Sequence, residues 1–67
     1  NILADVIIPL TPIALDVLRP GGVFITSGII NTKEDEVSET IRNTEGFEIL
    51  EITRQKDWSC IVAKKNI

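Results

Sequence analysis

Residues 18–30 read LRPGGVFITSGII, and this stretch decides the fold. The Pro-Gly-Gly turn at residues 20–22 ends a helix and redirects the chain. The residues that follow, from Val23 onward, are β-branched or aromatic with little alternation, which is typical of a strand covered on both faces. Gly28 either ends this strand or lets another group approach it closely. The stretch therefore predicts a helix that leads into a buried strand of an α/β sheet.

The segment before this turn has the apolar spacing of an α-helix. Its apolar residues are Val6, Ile7, Leu10, Ile13, Ala14, Val17 and Leu18. They form one broad helical face over residues 6–18, with Asp5 at the N-cap position. Pro9 and Pro12 each remove one helical hydrogen bond, so the sequence predicts a kink or two short helical pieces.

A second helix is predicted after the strand, capped by Asn31 or Thr32. Three consecutive acids at residues 34–36 fill its first turn, where the helix dipole favours carboxylates, and they are interpreted as a solvated acidic turn. Gly46 is the expected C-terminal cap. The inner face of this helix is predicted to consist of Val37, Ile41 and Thr44.

The chain then forms two strands, at residues 47–53 and 58–64, joined by a polar turn at residues 54–57. The alternating side chains of the last strand are mostly apolar on both faces, which indicates a strand inside a sheet. The predicted fold class is α/β, a mixed three-stranded sheet with two helices and a C-terminal antiparallel hairpin.

Composition limits the classes of function. The 67 residues allow one domain, and 43% hydrophobic with 25% charged residues is a globular composition. A net charge of -3 argues against direct binding of nucleic acid or of an anionic membrane. The single cysteine excludes an internal disulfide, and a reducing, cytoplasmic setting is therefore expected. With no histidine, the sequence also offers no set of metal ligands. No apolar run approaches the ~20 residues of a membrane span.

Several segments together resemble class I S-adenosylmethionine-dependent methyltransferases, and in particular the PrmA family. The segments are the NILA opening at residues 1–4, the LRPGG turn, the Ser-Gly-Ile after the strand, the acidic helix, the Gly-Phe turn and Trp58 opening the last strand. The resemblance covers residues 1–66 and implies a Rossmann-like fold. In the sheet of that fold, the last strand is expected between the other two strands of this chain and antiparallel to both. The family resemblance also implies S-adenosylmethionine as the methyl donor and amines of large-subunit ribosomal protein eleven, on lysine side chains and the N-terminus, as acceptors.

The resemblance also implies that this chain is a fragment. Residues 1–67 correspond to the C-terminal half of the catalytic domain, and the first residue is Asn1 rather than Met. The glycine-rich donor loop of the family is expected upstream, so the fragment alone should be inactive. Its first strand is expected to have an unpaired edge through which the fragment can self-associate.

The candidate site residues follow from the same resemblance. Asn1 is expected at the ligand-facing rim, where it contacts the donor or orients the amine, although a turn or cap residue is the plainer interpretation. Ser27 and Gly28 are expected in the wall of the substrate pocket, or else they only end the strand. Trp58 is interpreted as packing against a helix and Cys60 as a buried, inert thiol. The competing interpretations are another doubly wound protein, with a parallel final strand, and a small stand-alone interaction module.

Overall fold

A computed structural model describes residues 2–67 of the chain. The elements follow the predicted order of helix, strand, helix, strand, strand. They are α1 Ile2–Val17, β1 Val23–Ile30, a 3-10 turn Asn31–Lys33, α2 Glu34–Asn43, β2 Phe47–Gln55 and β3 Trp58–Lys65.

The three strands form one sheet in the order β1-β3-β2. β3 is antiparallel to both neighbours, which confirms the predicted position and direction of the last strand. The prediction of a mixed sheet was wrong, because β1 and β2 run in the same direction but are separated by β3. A parallel final strand, which the alternative doubly wound interpretation requires, is likewise excluded.

Both helices pack on the same face of this sheet. The core joins Ile7 of α1, Val37 and Ile41 of α2, and Ile61 and Ala63 of β3, all of them buried. Each large aliphatic side chain buried in this way contributes roughly 1.5–3 kcal/mol through removal of apolar surface from water. The core therefore lies between one helical layer and the alternate side chains of the central strand.

The opposite face of the sheet is open in the described residues. Ile25 of β1 is 64% exposed and Trp58 of β3 is 50% exposed, because no described element reaches this face. The expectation that β1 is covered on both faces was therefore wrong for this chain. Apolar strand residues still alternate onto the open face, which explains why the sequence of β1 indicated a doubly covered strand.

Helix α1 begins four residues earlier than predicted, and Asp5 lies in its first turn rather than at its N-cap. Pro9 and Pro12 lie inside one continuous helix, so the prediction of two pieces was wrong. Both prolines are exposed, and the helix is held by the opposite face, where the buried residues are Ala4, Ile7, Thr11 and Ala14. At its end, the Nζ of Lys65 donates to the carbonyls of Leu15 and Leu18 at 2.6 and 2.8 Å.

Much of the predicted inner face of α1 is exposed. Helix α1 has an apolar outer stripe, whose side chains are between 41% and 77% exposed. We define this stripe as Leu3, Val6, Leu10, Ile13 and Val17. The spacing of three and four residues places these side chains in one line along the helix. The helix is therefore apolar on a second side that nothing in the described residues covers.

Helix α2 begins after a 3-10 turn, and its N-cap residue, Lys33, makes no side-chain cap hydrogen bond. The prediction of an Asn31 or Thr32 cap was wrong, since the Asn31 side chain bonds to other elements instead. The inner residues Val37 and Ile41 are fully buried, as predicted. No helix within residues 2–67 combines the length and apolarity needed to cross a membrane.

Candidate functional site

The carboxyl end of β1 and the turn of the β2–β3 hairpin meet at one edge of the sheet. Ile30 at the end of β1 pairs with Trp58, and Trp58 also pairs with Gln55 at the end of β2. A cavity of about 340 Å³ opens here. It is lined by Ser27, Gly28, Thr53, Arg54, Gln55, Trp58, Ser59 and Cys60.

Ser27 and Gly28 form a β-bulge in β1, and both line this cavity. The strand continues through them to Ile30, so they do not end it. Gly28 has a φ of +71°, a conformation that side chains rarely adopt, and a Cβ there would lie 2.7 Å from Cδ1 of Leu3. The predicted close approach at Gly28 is therefore present, and the approaching group belongs to the first turn of α1.

The bulge is fixed on its helical side by the central strand. Thr26, the residue before the bulge, is buried, and its Oγ1 donates a hydrogen bond to the carbonyl of Ile61 at 3.1 Å. Bulges redirect the side chains around them and are frequent near active sites. Ser27 is exposed at the cavity as a result.

Asn1, the predicted catalytic and donor-binding residue, lies outside the described residues. What the structure does show is the position of the helix that follows. Leu3, two residues along the chain, contacts the bulge at Gly28. The first turn of α1 and the cavity-lining bulge are therefore neighbours.

Trp58 and Cys60 are cavity residues that sequence reasoning interpreted as structural. Trp58 is half exposed and Cys60 is partly exposed, so neither is the packed or fully buried side chain that was expected. Both lie on the open face of β3, opposite the helices. The available signal was position, because Trp58 follows directly after the hairpin turn at the edge where β1 ends.

Glu34 is buried beside the cavity wall, which corrects its interpretation as part of a solvated acidic turn. Its carboxylate oxygens accept hydrogen bonds from Nε and Nη2 of Arg54 at 2.7 and 2.5 Å, and from the Ser59 hydroxyl at 2.5 Å. These bonds to Arg54, then to Ser59, lower the pKa of Glu34 against the opposing effect of burial. The carboxylate is therefore held in its charged form, whereas its neighbours Asp35 and Glu36 are exposed.

Asn31 joins the end of β1 to the hairpin turn. Its backbone N–H donates to the carbonyl of Asp57 at 2.9 Å, and its side-chain amide donates to the carbonyl of Lys56 at 3.0 Å. Its Oδ1 lies 3.1 Å from the Ser59 hydroxyl. A single residue thus contacts both residues of the turn and the start of β3.

The described residues do not by themselves form a site for S-adenosylmethionine. The cavity lining contains no carboxylate to accept hydrogen bonds from ribose hydroxyls, and it has no glycine-rich turn at a helix start. No group of His, Cys, Asp and Glu within residues 2–67 is arranged to hold a metal ion. What the cavity offers is an indole ring, hydroxyl groups, a guanidinium group, an amide, a thiol and a bulged backbone.

Comparison with known proteins identifies the family. The family model described as ribosomal protein L11 methyltransferase (PrmA) matches residues 1–66. The ribosomal protein L11 methyltransferases of Agathobacter rectalis and Lachnoclostridium phytofermentans are each 54% identical over 97% of this chain, which covers 20% and 19% of their lengths. That of Bacillus subtilis is 51% identical, with 97% of this chain and 21% of its own length covered. The chain spans about a fifth of the length of these curated relatives, and it belongs to the ribosomal protein L11 methyltransferase family, PrmA.

Proposed function

We propose that this chain contributes the acceptor side of the active site in an S-adenosylmethionine-dependent methyltransferase that modifies amines of ribosomal protein L11. The relatives carry the name of that activity, and the chain matches them along nearly its whole length. The observation that carries the proposal is the cavity at the edge where β1 ends. In α/β sheets, ligands bind outside the carboxyl ends of the strands, which is where Ser27, Gly28 and Trp58 lie together.

In this proposal, residues 1–67 are the C-terminal half of a Rossmann-like catalytic domain. Two surfaces support it. The outer edge of β1 has no strand beside it in the described residues, and the outer stripe of α1 is apolar and exposed. Further strands and helices of a longer protein would cover both. The donor-binding residues would belong to that remainder, so the chain alone is expected to transfer no methyl group.

The residues of the cavity would act by positioning the amine. An amine attacks only in its neutral form, whereas a free lysine side chain has a pKa of about 10.4. Burial beside the Trp58 indole would favour the neutral amine, and the Ser27 hydroxyl or a carbonyl of the bulge could accept its N–H. Alignment of this kind is worth up to ~7–11 kcal/mol in well-ordered reactions. Asn1 is proposed to complete the set, its amide oxygen orienting the amine or contacting the donor.

Trp58 would also attract a product of this reaction. A methyl transfer that makes the amine quaternary leaves a positive charge that loss of a proton cannot remove, and an indole face attracts such a charge by about 0.5–2 kcal/mol. The half-exposed ring at the cavity is placed to receive such a product. Acceptor amines on lysine side chains and on the N-terminus are both compatible with this chemistry.

A methyl-transfer assay tests the proposed function. The full-length protein, incubated with S-adenosylmethionine and purified ribosomal protein L11, is expected to add whole methyl groups to L11, as read by intact mass and by peptide mapping. Omission of S-adenosylmethionine and replacement of L11 by an unrelated lysine-rich protein serve as controls. An L11 of unchanged mass in the presence of active donor would contradict the proposal.

The proposed cellular location follows from the proposed acceptor, ribosomal protein L11. A protein that modifies a ribosomal protein works where ribosomes are assembled, so we propose a cytoplasmic location. The proposal does not include contact with ribosomal RNA. Binding of phosphates needs an excess of basic residues, and the net charge of this chain is -3.

We further propose that the 67-residue chain, made by itself, self-associates through the edge of β1. That edge carries no charged residue from Val23 to Ile30, whereas β2 on the other edge contains Glu48, Glu51 and Arg54. Charges on an edge strand oppose pairing with another chain. Sedimentation velocity is expected to show dimers or larger species for the parent sequence and monomers for Ile25→Lys. Leu50→Lys on β2 is the matched control, and equal association of both variants would refute a β1 interface.

A further inference from the structure

We propose that Asn31 and Glu34 are positioning residues that hold the hairpin against the end of β1 and thereby set the width of the acceptor cavity. Together with their partners Arg54 and Ser59 they form what we call the hairpin clamp. The inference rests on the proposed function and deepens it, since it names residues that govern how the acceptor fits. Neither Asn31 nor Glu34 is among the residues that line the cavity.

The cavity has two walls that meet where the β1–β3 ladder is interrupted. One wall is the bulge at Ser27 and Gly28, where the β1–β3 ladder is interrupted between Thr26 and Ile29. The other consists of hairpin residues at the end of β2 and the start of β3, and the ladders end there with Trp58. Beyond the bulge, only two pairs of the β1–β3 ladder remain, Ile29 with Ser59 and Ile30 with Trp58. The position of the hairpin relative to the bulge is therefore set by these two pairs together with the contacts made by its side chains and its turn.

The hairpin clamp supplies those contacts from the segment that follows β1. Asn31 occupies both turn carbonyls, on Lys56 and Asp57, with its amide and its backbone N–H. Glu34 takes a bidentate pair from Arg54 on β2 and one hydrogen bond from Ser59 on β3. Arg54 and Ser59 both line the cavity. Two of the wall residues are thus held by partners that do not line the cavity.

The burial of Glu34 shows that this contact is specific rather than incidental. Its side chain is 9% exposed, while the Arg54 side chain that reaches it is 62% exposed. Burial of a carboxylate is costly unless charge-assisted hydrogen bonds satisfy it, and here three donors reach its two oxygens. The exposed pair between Lys33 and Glu36 spans 3.9 Å and has no such support. The hairpin clamp therefore has the bidentate geometry that fixes orientation.

A charge exchange in the full-length protein tests the hairpin clamp. Glu34→Lys and Arg54→Glu each place two like charges together, and each is expected to raise the KM for ribosomal protein L11 by about 5–10-fold while the KM for S-adenosylmethionine stays unchanged. The double variant Glu34→Lys/Arg54→Glu restores an opposite pair and is expected to return the KM for L11 to within about twofold of the parent value. Glu36→Lys, two residues further along the same helix turn, is the matched control and should change neither constant.

A second measurement does not depend on methyl transfer. Hydrogen exchange of the backbone amides at residues 55–59, followed by mass spectrometry, is expected to accelerate in Glu34→Lys and in Asn31→Ala and to recover in the charge-exchanged double variant. Asn31→Ala changes an exposed side chain, so it carries the test if Glu34→Lys fails to fold. If the unsubstituted full-length protein transferred no methyl group to L11, the proposed function would be refuted. The hydrogen-exchange data would then still decide whether the hairpin clamp holds the hairpin.

Two results would overturn the inference. The first is an unchanged rate of hydrogen exchange at residues 55–59 in Glu34→Lys and in Asn31→Ala, which would mean that the hairpin holds its position without Asn31 and Glu34. The second is a KM for L11 that the double variant does not restore, which would mean that the charges act separately rather than as a pair.

Discussion

Replacement of Asn1 by alanine in the full-length protein is expected to lower the kcat of methyl transfer by about 10²-fold, the cost of misplacing a reacting group by about an ångström. The residue is short, polar and uncharged, so its contribution is to orient the amine or the donor rather than to remove a proton. The position of the following helix supports this proposal, because Leu3, two residues along the chain, contacts the bulge that lines the cavity. Single-turnover rates with L11 as acceptor measure the effect.

The control for this prediction is Asn43→Ala, which removes the same side chain from the exposed end of α2. Both variants should keep the thermal unfolding midpoint of the unsubstituted protein, because neither change removes an apolar side chain. Turnover of the Asn1 variant equal to that of the parent would eliminate this residue from the reaction.

The second large effect is expected at Ile61, in the middle of the central strand. Ile61 is fully buried and joins the core made by both helices. Its replacement by alanine removes apolar contacts and leaves a cavity, at a cost of about 2–5 kcal/mol, which is a large part of the 5–15 kcal/mol that stabilises an ordinary domain. Urea unfolding of the full-length protein measures the difference.

Ile25→Ala is the matched control for this measurement. It is the same substitution on the adjacent strand, but Ile25 is 64% exposed in this chain. A small loss at Ile61, similar to that of a surface substitution of about 0.5 kcal/mol, would show that the core is not where we place it. A large loss at Ile25 in the full-length protein would show instead that further elements cover the open face there.

The fold was largely predictable because its signals are local. The Pro-Gly-Gly turn, the hairpin and the apolar alternation of β3 depend on residues close in sequence, and they predicted the order of the elements and an interior position for β3 correctly. The errors concern the bounds of α1 and its continuity, for which the local sequence gives no clear signal. The start of α1 was missed because Leu3 and Ala4 sit before the proline-containing segment, where propensity gives no clear beginning. The unbroken helix depends on packing of its buried face, which sequence spacing does not reveal.

The candidate site was predictable only in part. Ser27 and Gly28 were expected in a pocket wall because of the family resemblance, and both line the cavity, but their contact with an acceptor stays a prediction. The role of Glu34 could not be predicted, because its partners Arg54 and Ser59 lie 20 and 25 residues further along the chain. Its position in a run of acids pointed to solvent, as is correct for Asp35 and Glu36. Trp58 was predicted to pack against a helix, whereas it lies half exposed on the open face of the sheet. The sequence alone does not reveal which face of the sheet the helices leave uncovered.

The central claim is that the acceptor amine is received at the edge formed by the end of β1 and the hairpin turn. A structure of the full-length protein bound to S-adenosylhomocysteine and to an L11 peptide carrying the acceptor lysine tests it most directly. The acceptor nitrogen is expected inside the cavity, in contact with Ser27 or the Gly28 backbone and beside the Trp58 ring. An acceptor nitrogen bound at another edge of the sheet, with this cavity filled by solvent, would contradict the account.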